Sequence, residues 1–249
     1  MAIYSREFLT SKHKHYEEKF NDWHFHLMSY LGGQDYQNGY QLNRYILETD
    51  EEYLKRAENT PIDNHCKNVV QIYSSFLFRV PPTRNYGTLT GDPQLESFIN
   101  DADLDGRSFN NIIREMQMNA SIYGTCWAVL DKPAVQTQSR AEEIQLDIRP
   151  YISLYTPENV LNWNFERARN GRYVLTSLTL LEDLFDDMAT IRVWTMEDIT
   201  TYKVKEFTKG YSTSKPMMID EMPNQLGKVP AVILYNQKSQ RRGIGISDL

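Results

Sequence analysis

The sequence predicts an α+β fold, with helices in the first half and an antiparallel β-sheet in the second. Before residue 131, apolar residues recur every three or four positions, which is typical of amphipathic helices. After residue 146, the chain turns into short runs rich in β-branched and aromatic residues, separated by turn signals. The connections between these runs are too short for parallel crossovers, which favours antiparallel pairing.

The first helix is expected over residues 4 to about 30, where it carries an apolar stripe. Gly32-Gly33 is expected to end it. The acidic run Asp50-Glu51-Glu52 favours a second helix start, because carboxylates stabilise the amino-terminal end of a helix. The residues of the apolar stripe are Phe8, Tyr16, Phe20, Trp23, Leu27 and Tyr30.

A third helix is predicted to begin at Thr60. Thr60 suits the N-cap position, Pro61 suits the first helical position, and Asp63 completes a capping pattern. The segment is expected to end at Pro81-Pro82. Its apolar residues share one face, which we expect to be buried. They are Val69, Ile72, Tyr73, Phe76 and Leu77.

The middle of the chain is expected to hold a loop, a helix and a buried strand. The loop covers residues 83–92, the helix runs over residues 109–123 and stops at Gly124, and the strand covers residues 126–130. A polar, mobile loop is expected at residues 132–145. The predicted strands that follow are 148–155, 160–163, 173–181, 190–194, 200–204 and 229–235.

Composition limits the functional classes. The 249 residues are 41% hydrophobic, which is enough for a substantial core. The formal net charge of -6 argues against a protein that coats nucleic acid with a general basic surface. The two cysteines, Cys66 and Cys126, are too few for a disulfide scaffold. Without a signal peptide core or a run of roughly 18 apolar residues, the protein is expected to be soluble, unsecreted and free of the membrane.

The acidic run from Asp101 to Asp105 begins like a calcium-binding loop, because alternating carboxylates precede a glycine. Counting Asp101 as position 1, the loop fails at Ser108, where an apolar residue is usual, and at Ile112, where a bidentate Glu is needed. We interpret the run as a turn in which Asp105 or Ser108 caps the next helix.

The remaining polar motifs do not predict a catalytic or metal site. His13/His15 and His24/His26 form two His-x-His pairs, but on a helix the two rings of a pair point about 200° apart. No nucleophile, Walker or zinc-protease motif occurs. We therefore predict no catalytic residue, no metal ligand and no cofactor.

Two further groups have structural interpretations. Lys238, Arg241 and Arg242 are a basic cluster for which phosphate, an acidic neighbour or solvent are open, with solvent preferred. Trp127, Trp163 and Trp194 lie in strand-like runs and are expected in the core or at a subunit interface, with base stacking as the alternative.

The order of blocks along the chain resembles that of portal proteins from tailed double-stranded DNA bacteriophages. The blocks include Trp23, Tyr30-Leu31-Gly32-Gly33 with Tyr36, a Tyr-Leu-x-Arg helix and a Phe-Arg-x-Pro exit. Three later blocks follow in order: DLDGRSFNNIIREMQMNASIYGTCWAVLDKP, RPYISLYTPENVLNWNFE and GKVPAVILYNQ followed by GIGISDL. Together they span most of residues 23–249.

The resemblance implies a structural protein of the virion, not an enzyme. It implies a dodecameric ring at one capsid vertex, through which double-stranded DNA is packaged and ejected. Its expected partners are the terminase large subunit, the major capsid or scaffold protein and a head-tail adaptor protein, with assembly in the host cytoplasm. The residues that contact DNA are not identified.

The resemblance also suggests how the chain is divided. The expected segments are an N-terminal arm (1–47), a helical wing (48–131), the mobile loop (132–145), a β domain (146–236) and a linker (237–249). Ser247 and Asp248 are typical helix-starting residues, so we expect channel elements to follow the linker. Tyr36, Tyr40 and Trp23 are candidate anchors of a subunit interface or of the chain's own packing.

Two alternatives stay open. One is a metal-dependent phosphodiesterase or nuclease that uses Asp101–Asp105 with one His pair. The other is a different head or tail structural protein with a similar plan of helices followed by a sheet.

Overall fold

Helices fill the first half of the molecule and antiparallel strands the second, which confirms the predicted α+β class. The computed structural model describes residues 3–38, 42–61, 63–133, 135, 139–209 and 212–249. Within this part of the chain, no helix is both long and apolar enough to cross a bilayer. The α-helices are α1 Arg6–Thr10, α2 Lys14–Leu31, α3 Gly33–Asn38, α4 Asp50–Asn59, α5 His65–Leu77, α6 Pro93–Asn100, α7 Phe109–Tyr123 and α8 Arg140–Gln145.

The single helix predicted over residues 4 to about 30 is two helices, α1 and α2. His13 has an extended backbone and caps α2, because its Nδ1 accepts a hydrogen bond from the His15 amide at 3.2 Å. Gly32, with a φ of 66°, ends α2 as predicted, and α3 begins at the next residue. The buried residues of α1 and α2 are Leu9, Tyr16 and Trp23.

Helix α4 begins at the acidic run, as predicted. The Thr49 hydroxyl accepts a hydrogen bond from the Glu52 amide at 3.3 Å, and the Glu52 carboxylate accepts one from the Thr49 amide at 2.9 Å. This reciprocal capping box satisfies two amides that have no partner inside the helix.

The predicted start of α5 at Thr60 is wrong. Thr60 instead follows the last residue of α4, and its hydroxyl donates to a carbonyl in the preceding turn at 2.6 Å. The N-cap of α5 is Asn64, whose Oδ1 accepts from the Lys67 amide at 2.8 Å. Pro61 and Asp63 therefore lie before the helix.

Helix α6 is an element that the sequence patterns did not predict. The loop over residues 83–92 contains a short 3₁₀ turn, Gly87–Leu89, and leads directly into α6. Asp92 is the N-cap, accepting from the Gln94 amide at 2.9 Å, and Pro93 is the first helical residue. This is the arrangement of cap and proline that was expected at Thr60.

Helix α7 matches its prediction at both ends. Ser108, one of the two candidate caps, accepts from the Asn111 amide at 3.4 Å. Gly124 ends the helix with a φ of 87°, in the left-handed region. The buried residues of α7 are Ile112, Met116, Ala120, Ser121, Ile122 and Tyr123.

Within the described residues, the second half of the chain forms antiparallel sheets. The strands are β1 Thr125–Asp131, β2 Tyr151–Tyr155, β3 Val160–Arg167, β4 Tyr173–Phe185, β5 Met188–Thr195, β6 Asp198–Lys205, β7 Met217–Pro223, β8 Ala231–Tyr235, β9 Gln237–Lys238 and β10 Gly245–Ile246. One sheet has the order β2-β1-β8, a second has β3-β4-β5-β6-β7, and β9 pairs with β10. The antiparallel pairing confirms the prediction from the short connections.

The strand-region predictions differ from the structure in several places, including β9 and β10, which were not predicted. The strand expected over 148–155 begins only at Tyr151, and β7 was not predicted. Helix α8 lies inside the loop expected over 132–145, where residues 134 and 136–138 fall outside the described part. The mobility of that loop stays a prediction.

One large hydrophobic cluster joins the helical and strand regions. Trp127 of β1, Trp163 of β3 and Trp194 of β5 are buried in it, as expected for core residues. The two larger sheets are also linked by an ion pair of 2.8 Å between Arg192 and Asp131. The expected division into five segments remains a prediction.

Candidate subunit interface

Helix α5 is attached to the body of the protein along one side. Val70 and Ser74 are fully buried where α5 packs against α2 and α7. Arg114 of α7 donates its Nε to the Ser74 hydroxyl at 3.3 Å. The Asn64 side chain donates to the Tyr30 carbonyl oxygen at 2.7 Å, which joins the start of α5 to the end of α2.

Five apolar residues of α5 are exposed, and together we call them the apolar α5 face. Its five residues are those for which burial was expected, so that expectation is wrong within a single chain. The exposed fractions are 39% for Val69, 54% for Ile72, 56% for Tyr73, 70% for Phe76 and 64% for Leu77.

The apolar α5 face is a candidate interface because of what its exposure costs. Fully burying one such side chain stabilises by about 1.5–3 kcal/mol, so five partly exposed ones leave several kcal/mol available to association. Single protein chains seldom expose contiguous apolar patches of this kind unless a partner covers them. Lys67 is the only Lys, Arg, Asp or Glu within α5.

The acidic turn is occupied by the chain's own donors. Asp101 accepts from the Gly106 amide at 2.9 Å and from the Arg149 guanidinium at 2.7 Å. Asp103 bonds the Arg107 guanidinium and accepts from the Asp105 and Arg107 amides, each at 3.0 Å. These bonds, with Ser108 as the cap of α7, support the interpretation of the run as a turn.

Asp103 is the most perturbed carboxylate of the acidic turn. Burial raises its pKa, but the hydrogen bonds from Arg107 and from the two amides outweigh burial and hold the pKa at about 2. Across the described residues, no group of three or more His, Cys, Asp and Glu is placed to hold a metal ion. Asp101 and Asp103, two of the carboxylates that the nuclease alternative would use, are bound to arginine.

The rings of His13 and His15 lie close together, with centroids 5.1 Å apart, so the predicted separation of this pair is wrong; His13 is the extended N-cap of α2 and not a helical residue. His13 stacks on Trp163 with ring centroids 4.1 Å apart, and desolvation lowers its pKa. His15 lies 3.2 Å from Glu18, and His24 lies 3.9 Å from Glu158. The fourth, His26, lines a groove beside α2.

That groove lies between α2 and the last residues of the described chain, with a volume of about 440 Å³. Trp23, Tyr123 and Ile246 contribute to its wall. Within the described structure, Nδ1 of His26 is buried without a hydrogen-bond partner. Burial lowers the pKa of His26, which favours its neutral form.

The basic cluster near the end of the chain is exposed, as preferred, but its side chains also contact protein groups. Arg241 bonds Glu18 of α2. Arg242 stacks on the Tyr173 ring, with its guanidinium carbon 3.4 Å from the ring centroid. Lys238 lies 5.9 Å from the Tyr235 ring centroid.

The two cysteines, Cys66 and Cys126, are free. Cys66 is half-buried in α5. Cys126 is fully buried in β1, and burial raises the pKa of its thiol to about 12.

The chain matches one protein-family model over nearly its whole length. The family is described as phage portal protein, SPP1 Gp6-like, and its model matches residues 16–248. The chain belongs to this portal family. No curated protein matches it.

Membership confirms the resemblance that the order of sequence blocks suggested. Portal proteins are structural components of the virion, and the family implies an oligomeric assembly at the capsid vertex. An assembly of copies provides a partner for an apolar surface that a single chain leaves exposed.

The three aromatic residues named as candidate interface anchors differ in position. Trp23 is only 2% exposed and packs within the chain's own core, which is the second of the two roles predicted for it. Tyr36 is partly exposed on α3, and its ring centroid lies 6.4 Å from that of Phe25. Tyr40 lies outside the described residues.

The sequence patterns therefore selected the residues of the apolar α5 face but assigned them to the core. They did not select the exposed turns at the two ends of β4. A signal was present there: three arginines surround the Asn170-Gly171 turn, and four carboxylates flank Leu184 and Phe185.

Proposed function

We propose that this chain is a subunit of the portal ring at the capsid vertex, the conduit through which double-stranded DNA is packaged and ejected. The family match supports this proposal, and the apolar α5 face is the single structural observation that carries the ring. We infer a dodecamer with the terminase large subunit, the major capsid or scaffold protein and a head-tail adaptor protein as partners, assembled in the host cytoplasm.

The occupant of the apolar α5 face is proposed to be a second copy of the chain. In a closed ring, each subunit meets one neighbour with one surface and the other neighbour with a different surface. An apolar helix face with little charge suits the dry centre of such a contact, where charged residues are depleted.

Low overall affinity for DNA agrees with a conduit. Each Lys or Arg contact with a phosphate must be broken again as the duplex moves. The net charge of -6 supports loose contact, because an acidic chain does not hold a polyanion tightly over its whole surface.

The proposal is tested by making the apolar α5 face polar in the full native protein. Phe76→Ser with Leu77→Ser should reduce assembly, measured as the mass distribution in sedimentation velocity, while the monomer stays folded. Leu146→Ser, at a residue that is 56% exposed outside the face, is the matched control and should leave assembly unchanged. Full assembly of the Phe76/Leu77 double variant would contradict the assigned interface.

The alternative function is that of a different structural protein of the virion head or tail with the same plan of helices followed by a sheet. Electron microscopy of the assembled full product separates the two. Rings with a central hole support the portal role, whereas hexamers, tubes or stable monomers support the alternative.

A further inference from the structure

The hairpin turn between β4 and β5 holds two large apolar side chains in solvent. Asp186 and Asp187 form its two-residue centre, with φ values of 48° and 57°. Positive φ at both positions fits the tight turn whose twist matches the flanking strands. Phe185 is 78% exposed and Leu184 is 45% exposed. Leu184 and Phe185, the last two residues of β4, are therefore exposed to solvent next to a tight turn.

Acidic residues flank this apolar pair. Glu182 forms an ion pair with Arg192 at 3.3 Å, and Asp187 accepts from the Thr208 hydroxyl at 2.7 Å. Asp183 and Asp186 are exposed and form no ion pair within the described part of the chain. We call Asp183, Leu184, Phe185 and Asp186 the acidic tip.

The other end of β4 carries the opposite charge. Arg167, Arg169 and Arg172 surround the turn that precedes β4 and are exposed. Arg242 joins them by stacking on Tyr173, the first residue of β4. The Arg167 guanidinium carbon lies 6.0 Å from the centroid of the same ring. We call Arg167, Arg169, Arg172, Tyr173 and Arg242 the arginine end.

The arginine end is held in shape but its charges are not neutralised. Arg167 donates its Nε to the Gly171 carbonyl at 3.3 Å, and the Arg242 carbonyl accepts from the Trp163 indole at 3.2 Å. The one nearby carboxylate, Glu166, accepts from the Asn164 amide group at 3.1 Å. Among the described residues, no carboxylate pairs with any of the four arginines.

The acidic tip and the arginine end cannot meet within one chain. They lie at opposite ends of β4, which has 13 residues. At about 3.3 Å per residue, such a strand spans about 40 Å. Any contact between the two surfaces must therefore join different copies.

We propose that the acidic tip of one copy docks on the arginine end of the next copy in the ring. This inference rests on the proposed portal function, because it assigns a partner to two surfaces of the same assembly. Asp183 and Asp186 would face the guanidinium groups, and Phe185 would cover the platform of Tyr173 and Arg242. A contact between unlike surfaces repeats from copy to copy and forms a ring when the rotation between copies closes.

A nucleic acid would also be attracted to four arginines, but it would leave the acidic tip without a partner. Docking between copies accounts for both surfaces at once. The two surfaces are also matched in kind, since each combines exposed charge of one sign with an aromatic ring.

Charge reversal in the full native protein tests the contact. One variant carries Asp183→Arg with Asp186→Arg, a second carries Arg169→Glu with Arg172→Glu, and a third combines all four changes. Like charges repel in the first two, so about tenfold more protein should be needed for assembly in sedimentation velocity at low salt. The combined variant restores opposite charges and should assemble like the unaltered protein.

A control variant with Glu58→Arg and Asp220→Arg makes the same charge change at exposed positions elsewhere and should assemble normally. Assembly of either reversed variant at the unaltered concentration, or failure of the combined variant to recover, would overturn the contact. If only the Phe76/Leu77 double variant disperses the assembly, the portal proposal stands and this contact is wrong. If the unaltered protein never assembles, both are wrong.

A retention assay with a short DNA duplex separates the nucleic-acid outcome. Loss of duplex binding in the Arg169/Arg172 variant, with assembly unchanged, would assign the arginine end to phosphate and overturn docking between copies. Unchanged duplex binding with weakened assembly is the expected result.

Discussion

Asp103 stabilises the turn before α7 through the bonds that it accepts from Arg107 and from two backbone amides. All three donors favour the charged carboxylate. Because they act only in the folded protein, the protonation of Asp103 is linked to folding.

The pH dependence of folding follows from the direction of this pKa change. Asp103 has a pKa of about 2 in the folded protein against an ordinary value of 3.8. Its contribution is therefore present above about pH 4 and lost as the pH falls towards 2. We expect Asp103→Asn to lower the free energy of unfolding at pH 7 by about 1 kcal/mol and to flatten its fall between pH 4 and 2.

Chemical denaturation across this pH range measures the effect. Asp105→Asn, a change at an exposed neighbour in the same turn, is the matched control and should retain the steep fall. An unchanged pH dependence in Asp103→Asn would show that the bonds do not contribute.

Gly245 lies where two stretches of backbone come too close for a side chain. A Cβ atom there would lie 2.1 Å from the Gly124 carbonyl oxygen, at the junction of α7 and β1. Backbone cannot move aside as a side-chain end can, so Gly245→Ala should destabilise by about 2–3 kcal/mol.

Gly227→Ala is the matched control for that substitution. Gly227 has a φ of 59°, but a Cβ atom at this residue would meet no other atom within 4 Å, so only the backbone conformation opposes the change. We expect a cost of about 1 kcal/mol, measured by thermal unfolding. Equal melting temperatures for the two variants would argue against the close approach at Gly245.

At the scale of elements, the start of α5 depends on Asn64. Its side chain both caps α5 and bonds the Tyr30 carbonyl oxygen. Asn64→Ala should therefore cost about 1.5 kcal/mol, whereas Thr60→Ala should cost no more than about 0.5 kcal/mol because Thr60 is not an N-cap. Denaturant titration compares the free energies of unfolding of the two variants. If Thr60→Ala costs more than Asn64→Ala, Thr60 would be the N-cap of α5.

Local capping rules could predict some helix ends but not choose between similar candidates. Ser108, Gly124 and the acidic start of α4 follow directly from residue chemistry. Thr60-Pro61 and Asp92-Pro93 show the same pattern, yet only Asp92 is the N-cap of a helix. Which candidate is used depends on where the helix packs, and spacing along the chain does not contain that information.

The apolar α5 face also shows what the sequence pattern alone cannot predict. Periodicity correctly placed the five residues of the apolar α5 face on one side of a helix. It cannot tell whether another element of the same chain or another copy covers that side. Strand β7 was missed for a related reason: it lies at a sheet edge with most side chains exposed, so Met217–Pro223 lacks a buried alternation.

At the scale of the whole molecule, three exposed surfaces favour association of copies over an isolated monomer. The apolar α5 face has little charge, while the acidic tip and the arginine end are of opposite charge at the two ends of β4. Apolar contacts add affinity, and charged contacts select the orientation of the partner. A ring of identical copies can use all three surfaces at the same time.

The salt dependence of assembly should distinguish the charged contacts from the apolar contacts. Exposed ion pairs weaken as the screening length falls to about 3 Å at 1 M salt, whereas apolar burial is not weakened. We expect the assembly to be weaker at high salt, while association through the apolar α5 face persists. Light scattering across a salt series of the unaltered protein, with Phe76→Ser plus Leu77→Ser as comparison, measures the two components.

Electron microscopy of the full native protein shows at once whether copies of this chain form a DNA-conducting ring. We expect closed rings with a central hole wide enough for a DNA duplex, with the apolar α5 face and both ends of β4 buried between neighbouring subunits. A population of stable monomers, or assemblies without a central channel, would refute the proposed ring.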